Sequence, residues 1–115
     1  VEDNERLREA ATELLRRRGL DVEPVASGGD AIALLGAGAG ADVVLTDVVM
    51  PGITGPELAR ELHRLRPGLP VVFMTGYSDD ATLAAGSAIC VAKPFDEAQL
   101  LDALERAVIS APAAG

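Results

Sequence analysis

The chain has 115 residues, of which 49% are hydrophobic and only 3% aromatic, and its formal net charge is −8. This length suits one domain with a single aliphatic core. An acidic surface repels the phosphates of nucleic acids, so direct nucleic-acid binding is not expected. The lone Cys90 excludes an internal disulfide, the first residues lack a signal-peptide pattern, and no apolar run could cross a bilayer. We therefore expect a cytoplasmic domain that makes no membrane contact.

Helices and short strands alternate along the first forty residues. A first helix is predicted over 4–18, ending at Gly19, because apolar residues recur at the spacing of one helical face. The residues of that face are Leu7, Ala10, Ala11, Leu14 and Leu15. Partial alternation predicts a strand over 21–26, and a short helix is predicted over 30–35. The glycine-rich stretch 36–40 reads as a connector.

The remainder of the chain contains three strongly apolar segments. The first, 42–47, is typical of a strand that is buried on both faces, and 71–75 and 89–92 share that character. A helix is predicted from Pro56 to about Leu65, and a weakly patterned one over 79–85.

The last helix is predicted to begin after Asp96, which caps it. Its apolar side comprises Leu100, Leu101, Leu104 and Val108. A frayed tail is expected over 111–115.

This alternation of strands and helices predicts a parallel sheet covered on both faces, in which function collects at the carboxyl ends of the strands. Val1 resembles the end of a strand that is otherwise missing from the chain. Three carboxylates, one hydroxyl and one ammonium group are therefore expected at one edge of the sheet. They belong to Glu2, Asp3, Asp47, Thr75 and Lys93.

These groups have complementary chemistry. Hard carboxylate oxygens suit Mg²⁺, which also accepts phosphate oxygens as ligands. An aspartate carboxylate can attack phosphorus and form an aspartyl phosphate. An ammonium group and a metal ion can neutralise charge on the transferring phosphoryl group, and a hydroxyl can donate a hydrogen bond to it.

Four segments together closely resemble response-regulator receiver domains of two-component signalling, in the right order and at about the right spacing. They are Val1-Glu2-Asp3-Asn4, Leu45-Thr46-Asp47-Val48-Val49-Met50-Pro51-Gly52, Met74-Thr75-Gly76-Tyr77-Ser78 and Lys93-Pro94-Phe95. The resemblance implies a flavodoxin-like (βα)5 doubly wound parallel sheet, with the first strand largely missing, and a receiver domain over 1–110. The match looks strongest to receivers of hybrid sensor histidine kinases, so the chain could be a fragment of such a kinase.

The resemblance also implies the roles of individual residues. Asp47 would accept a phosphoryl group from a histidine of a sensor kinase or phosphotransfer protein. Mg²⁺ would be held by Asp3, Asp47 and the backbone carbonyl of Val49, with Glu2 acting through a metal-bound water. Thr75 would switch conformation, and Lys93 would contact the phosphoryl group. Receivers catalyse only their own phosphoryl transfer and dephosphorylation. The sequence leaves open whether this chain forms a homodimer.

Two alternatives compete with this interpretation. Phosphatases of the haloacid-dehalogenase type carry a second aspartate two residues after the nucleophile, where this chain has Val49. A pseudo-receiver that is never phosphorylated stays open, because Cys90 stands where receivers usually have the aromatic partner of the switch threonine. Tyr77 could substitute for that aromatic residue. His63 lies among charged residues of a helix and is predicted to be a surface histidine.

Overall fold

The computed structural model describes residues 1–75, 89–93 and 95–110, with side chains to 109. The described helices and strands follow the predicted order, except that no strand separates the first two helices. They are α1 (Glu5–Arg17), α2 (Gly28–Gly36), β1 (Val44–Asp47), α3 (Gly55–Leu65), β2 (Val71–Thr75), β3 (Ile89–Ala92) and α4 (Glu97–Ser110). The helix predicted over 79–85 and the frayed tail predicted over 111–115 lie outside these residues.

Each helix begins at a polar side chain that accepts a hydrogen bond from its first turn. Asn4, Ser27 and Thr54 cap α1, α2 and α3, and Thr54 forms a reciprocal capping box with Glu57. Asp96, as predicted, accepts a hydrogen bond from the Gln99 amide over 2.8 Å at the start of α4. Such caps satisfy amides that have no partner within the helix, and they fix where each helix leaves the sheet.

The three strands form a parallel sheet in the order β1-β2-β3. On the outer side of β1, the nitrogen of Val1 donates to the carbonyl oxygen of Leu45 and the Asp47 amide donates to the carbonyl oxygen of Val1. Val1 is therefore paired with β1 as a strand residue would be. The segment that contains Val25 lies farther out, and its Val25 carbonyl oxygen accepts a hydrogen bond from the Glu2 amide over 3.1 Å. This spatial order is the 2-1-3-4-5 order of the flavodoxin-like fold.

The prediction of a strand over 21–26 is wrong, because these residues have no regular strand conformation. A strand needs a neighbour with which to form a ladder of hydrogen bonds. Among the described residues, Glu2 supplies one backbone donor here, to the Val25 carbonyl oxygen, and the other donor is the side chain of Arg16, to the Val22 carbonyl oxygen, so no ladder forms. Val22 and Val25 nevertheless pack against the core from opposite faces of the sheet.

The core lies in two layers, one on each face of the sheet. Leu15 of α1 and Leu100 of α4 pack on one face with Val72 and Met74. On the other face α2 and α3 pack around Val44, and their buried leucines are Leu35, Leu58 and Leu62. Helices on both faces explain why the strands are mainly apolar,.

The inward face of α1 differs from the predicted one. Leu7 is 47% exposed and Ala10 is exposed, whereas Thr12 and Leu15 are buried. Arg8 is partly buried, and its guanidinium donates to the carbonyl oxygen of Glu2 over 2.9 Å. The inward face of α1 therefore includes polar side chains, those of Arg8 and Thr12. Each of them donates a hydrogen bond, as buried polar groups need to do,.

The apolar side of α4 is also corrected at one position. Leu100 and Leu104 are buried and Leu101 is partly buried, as predicted, but Val108 is 47% exposed. The helix has 14 residues and the adjoining strand β3 has four. At about 1.5 Å per helical residue and about 3.3 Å per strand residue, the last turn extends past the sheet that it covers. Among the described residues no helix is both long and apolar enough to span a membrane.

Candidate functional site

The carboxyl ends of β1, β2 and β3 bring the predicted polar residues to one edge of the sheet. Asp47 ends β1 and Thr75 ends β2, and both are buried. Thr75 pairs with Ala92 in the register of β2 and β3. The amide of the next residue, Lys93, donates to the Thr75 carbonyl over 2.7 Å. This bond fixes the backbone from which the lysine side chain reaches toward Asp47.

Glu2 and Asp3 reach the same edge because Val1 is paired with β1. The Asp47 amide donates to the Val1 carbonyl over 3.1 Å, so the acidic pair follows directly beside Asp47. Carboxylate oxygens of Glu2, Asp3 and Asp47 all lie within 4.8 Å of one another. Glu2 is buried and also accepts a hydrogen bond from the Asn4 amide, whereas Asp3 is exposed.

Lys93 is the cation that faces this acidic cluster. Its ammonium group donates to Glu2 Oε1 over 3.1 Å and forms an ion pair with Asp47 Oδ1. The Lys93 side chain is 28% exposed, and those of Glu2 and Asp47 are each 5% exposed. Since buried charges are costly without a partner, this lysine makes two adjacent carboxylates tolerable.

Burial and charge perturb the proton equilibria of all three groups. Burial, followed by the hydrogen bond and repulsion from Glu2, raises the pKa of Asp47 to about 7 against the attraction of Lys93. Burial also acts to raise the pKa of Glu2, but hydrogen bonds with Asp47, Asn4 and Lys93 hold it below its ordinary value. Burial opposes the charge of Lys93, yet its bonds to Asp47 and Glu2 raise its pKa. Without a metal, therefore, the carboxyl of Asp47 is about half protonated near pH 7.

The donor set fits a hard divalent cation. Asp47 Oδ1 is buried, and its partner among the described residues is the ammonium group of Lys93. An acceptor oxygen of this kind is normally satisfied by protein, water or an ion. Three carboxylates that can each offer one oxygen match the preference of Mg²⁺ for oxygen ligands,.

The remaining residues that the sequence analysis singled out show no contact with the acidic cluster among the described residues. Val49 lies two residues after Asp47, in the loop that follows β1, and its side chain is 63% exposed. Cys90 lies in β3, is partly buried and packs against the cluster of Val48, Ala59 and Phe73. Tyr77, the suggested substitute for the aromatic switch residue, lies outside the described residues.

Several residues were missed by the sequence interpretation. Arg8 secures the backbone of Glu2, and its position one turn after Asn4 was the available signal. Thr46 and Gly55 contact the backbone of Asp47 and have no motif of their own. His63 is exposed as predicted, with Nε2 at 2.8 Å from the Leu69 carbonyl oxygen.

Comparison with known proteins agrees with this geometry. The family model of the response regulator receiver domain matches residues 1–105. The chain therefore belongs to the response regulator receiver family of two-component signalling.

Curated relatives include sensor kinases and transcriptional regulators. Sensor kinase CckA of Brucella abortus is 39% identical over 82 residues, which cover 70% of this chain and 9% of CckA. Transcriptional regulatory protein FixJ of Azorhizobium caulinodans is 36% identical over 110 residues, which cover 90% of this chain and 51% of FixJ. The chain thus spans about half of FixJ and about a tenth of CckA.

Solved structures show the same fold. The receiver domain of sensor histidine kinase PA1611 from Pseudomonas aeruginosa has a TM-score of 0.83 and 29% identity, covering 96% of this chain and 94% of that one. In that structure a magnesium ion is coordinated in the active-site cleft. A response regulator receiver protein from Sinorhizobium medicae has a TM-score of 0.84 and 29% identity, covering 95% of this chain and 90% of that one.

Proposed function

We propose that this receiver domain accepts a phosphoryl group on the carboxylate of Asp47. The observation that carries the proposal is the position of that carboxyl, which lies beside Lys93 with oxygens of Glu2 and Asp3 within 4.8 Å. A nucleophile, a cation and a set of hard oxygen ligands thus meet at one sheet edge. Phosphoryl transfer depends on this kind of positioning and charge neutralisation.

The transfer converts one covalent bond to phosphorus into another. The bond between phosphorus and the donor histidine nitrogen breaks, and a bond between phosphorus and an Asp47 carboxylate oxygen forms. The electron pair of the broken bond returns to the imidazole, so that no oxidant or further reactant is needed. Asp47 must be ionised to attack, and its raised pKa means that it first gives up a proton.

Divalent metal binding would supply that ionised state and balance charge. Glu2, Asp3 and Asp47, together with the carbonyl of Val49, are the residues that would hold Mg²⁺. When bound, the ion neutralises negative charge on the carboxylates and on the phosphoryl oxygens. Lys93 would then turn from the free carboxylate of Asp47 to an oxygen of the attached phosphoryl group.

The donor would be a histidine of a sensor kinase or of a phosphotransfer protein. Similarity to CckA and to the PA1611 receiver supports a kinase-linked setting, and similarity to FixJ supports a transcriptional regulator. Thr75, at the end of β2 and next to the Lys93 backbone, would respond to the phosphoryl group. No separate substrate is turned over in this scheme.

A pseudo-receiver that keeps the fold without accepting phosphate is the second candidate, favoured by Cys90 in place of the usual aromatic residue. A beryllofluoride titration in Mg²⁺ separates the two, because beryllofluoride mimics a phosphoryl group on an aspartate. We expect saturable binding by the parent chain and none by Asp47→Asn. Absence of binding by a folded parent chain would overturn the proposal in favour of the pseudo-receiver.

A further inference from the structure

We propose that Thr46 and Gly55 are positioning residues, which fix the peptide carbonyl of Asp47 and thereby aim its carboxyl into the acidic cluster. The inference rests on the proposed function, since it concerns how the acceptor is held for transfer. The hydroxyl of Thr46 donates to the Asp47 carbonyl oxygen over 3.0 Å. Gly55 lies against the same oxygen, since a Cβ built on it would come within 2.3 Å.

Thr46 is a polar residue where an apolar one would pack as well. It lies in β1, its side chain is fully buried, and its neighbours Val44 and Leu45 are apolar. A buried hydroxyl costs free energy unless it is hydrogen-bonded, and valine has nearly the same shape without that cost. The hydroxyl therefore matters for its hydrogen bonds, to the Asp47 carbonyl oxygen over 3.0 Å and to Met50 Sδ over 3.8 Å, rather than for filling the core.

Gly55 is a glycine for reasons of space. Its φ is not positive, so an alanine could adopt its backbone conformation. A Cβ there would approach the Asp47 oxygen at 2.3 Å, the Val48 Cα at 3.0 Å and Phe73 Cδ1 at 3.1 Å. Two of these contacts are with the backbone, which cannot rotate away as a side chain can. The start of α3 is thus seated directly on the chain that leaves β1.

The Asp47 peptide is consequently held from several sides. Its amide donates to Val1, its carbonyl accepts from Thr46, and the amide of Gly55 donates to the following carbonyl, that of Val48, over 2.7 Å. A side chain leaves the backbone in a direction that the flanking peptides set. Any shift of this carbonyl therefore moves the carboxyl relative to Lys93 and the metal ligands.

Five variants test the inference in the full chain. Thr46→Val replaces the hydroxyl by a methyl group, and Thr46→Ser keeps the hydroxyl. Thr12→Val is the matched control, because Thr12 is also buried and donates to a backbone carbonyl, that of Arg8, over 2.7 Å. Gly55→Ala is paired with Gly28→Ala, whose Cβ would also come within 2.3 Å of another atom, but that atom is the Ile53 Cγ2 methyl.

For each variant, the rate of labelling by acetyl phosphate in saturating Mg²⁺, the Mg²⁺ dissociation constant and the urea midpoint are measured. We expect Thr46→Val and Gly55→Ala to be labelled at least about tenfold more slowly than the parent, because small misplacements of reacting groups are costly. Thr46→Ser, Thr12→Val and Gly28→Ala should stay within about twofold of the parent. The urea midpoints show whether a loss merely reflects unfolding, and Thr46→Val is the variant that keeps the core volume.

Parent-like labelling of both Thr46→Val and Gly55→Ala would overturn the inference while leaving phosphorylation of Asp47 intact. Equal losses in the two controls would also overturn it, since the effect would then follow stability alone. If the parent itself is not labelled, the proposed function fails. The Mg²⁺ dissociation constants of the variants then test whether Thr46 positions the Asp47 carboxyl. Weakened Mg²⁺ binding in Thr46→Val that is restored in Thr46→Ser would support it, and unchanged or absent binding would overturn it.

Discussion

The ammonium group of Lys93 donates to the Glu2 carboxylate over 3.1 Å, although 91 positions separate the two residues in the chain. The contact exists because Val1 pairs with β1 while Lys93 follows β3, so that both reach the same edge of one parallel sheet. The same lysine also forms the ion pair with Asp47. Lys93 is therefore the group on which the charge balance of the site depends.

Lys93→Ala should destabilise the metal-free protein by about 1.5–3 kcal/mol at pH 8, because it leaves buried carboxylates without their cation. The loss should be smaller at pH 5, where Asp47 is protonated. Arg106→Ala is the matched control, since its ion pair with Asp102 is exposed and such pairs contribute about 0.3–0.5 kcal/mol,. Urea unfolding at both pH values measures the difference. A loss no greater than that of Arg106→Ala would show that Lys93 does not neutralise the cluster.

In the metal-free protein, Asp47→Asn should raise the free energy of unfolding relative to the parent, and by more at pH 8 than at pH 5. The folded pKa of Asp47, about 7, lies above its ordinary value of 3.8, so its ionised form is disfavoured by folding. The cost is absent below about pH 4 and complete above about pH 8, and stability falls as pH rises between them. Asparagine has no such cost, and we expect its advantage to grow by at least about 1 kcal/mol across this range. An advantage equal at both pH values would contradict the raised pKa.

Asp3→Ala should weaken Mg²⁺ binding more than Glu2→Ala does. Asp3 is exposed at the cluster, whereas the buried carboxylate of Glu2 is already engaged by Lys93 and the Asn4 amide. Glu2→Ala should instead lower the urea midpoint, which Asp3→Ala should leave almost unchanged. Calorimetric titration with Mg²⁺ provides the affinities. Equal losses of affinity would refute the assignment of Asp3 as the direct ligand and Glu2 as the water-mediated one.

Val49→Asn should shorten the lifetime of the phosphorylated protein. The Val49 side chain is 63% exposed in the loop after Asp47, and it offers no hydrogen bond that could orient an attacking water. An asparagine amide could orient one in line with the aspartyl-phosphate bond. Val49→Ile is the apolar control and should decay like the parent. The decay of phospho-Asp47 after removal of the donor is the measurement, and equal lifetimes in all three proteins would exclude control by this side chain.

Much of the fold could be predicted because its signals are local. The cap at Asp96 and the apolar run of Val71–Thr75 each depend on a few consecutive residues. The segment 21–26 could not be predicted correctly, because whether it forms a strand depends on the length of its neighbour in space. The exposure of Val108 likewise depends on where the sheet beneath α4 ends.

The charged residues of the candidate site could be predicted from the sequence. The residues that hold the backbone of Asp47 in place could not. Glu2, Asp3, Asp47 and Lys93 can be placed together by the rule that parallel strands end at one edge. Thr46 and Gly55 act through a hydroxyl bond and through missing volume, which neither composition nor periodicity reveals. The raised pKa of Asp47 also required the structure, because it follows from burial beside Glu2.

The central claim is that Asp47 is the residue that accepts the phosphoryl group. Its most direct test is mass spectrometry of the protein after incubation with acetyl phosphate and Mg²⁺, followed by proteolysis to locate the modified residue. We predict a single added phosphoryl group on the peptide that contains Asp47 and none on folded Asp47→Asn. Undiminished labelling of Asp47→Asn, or a phosphoryl group located on another residue of the parent, would contradict the account.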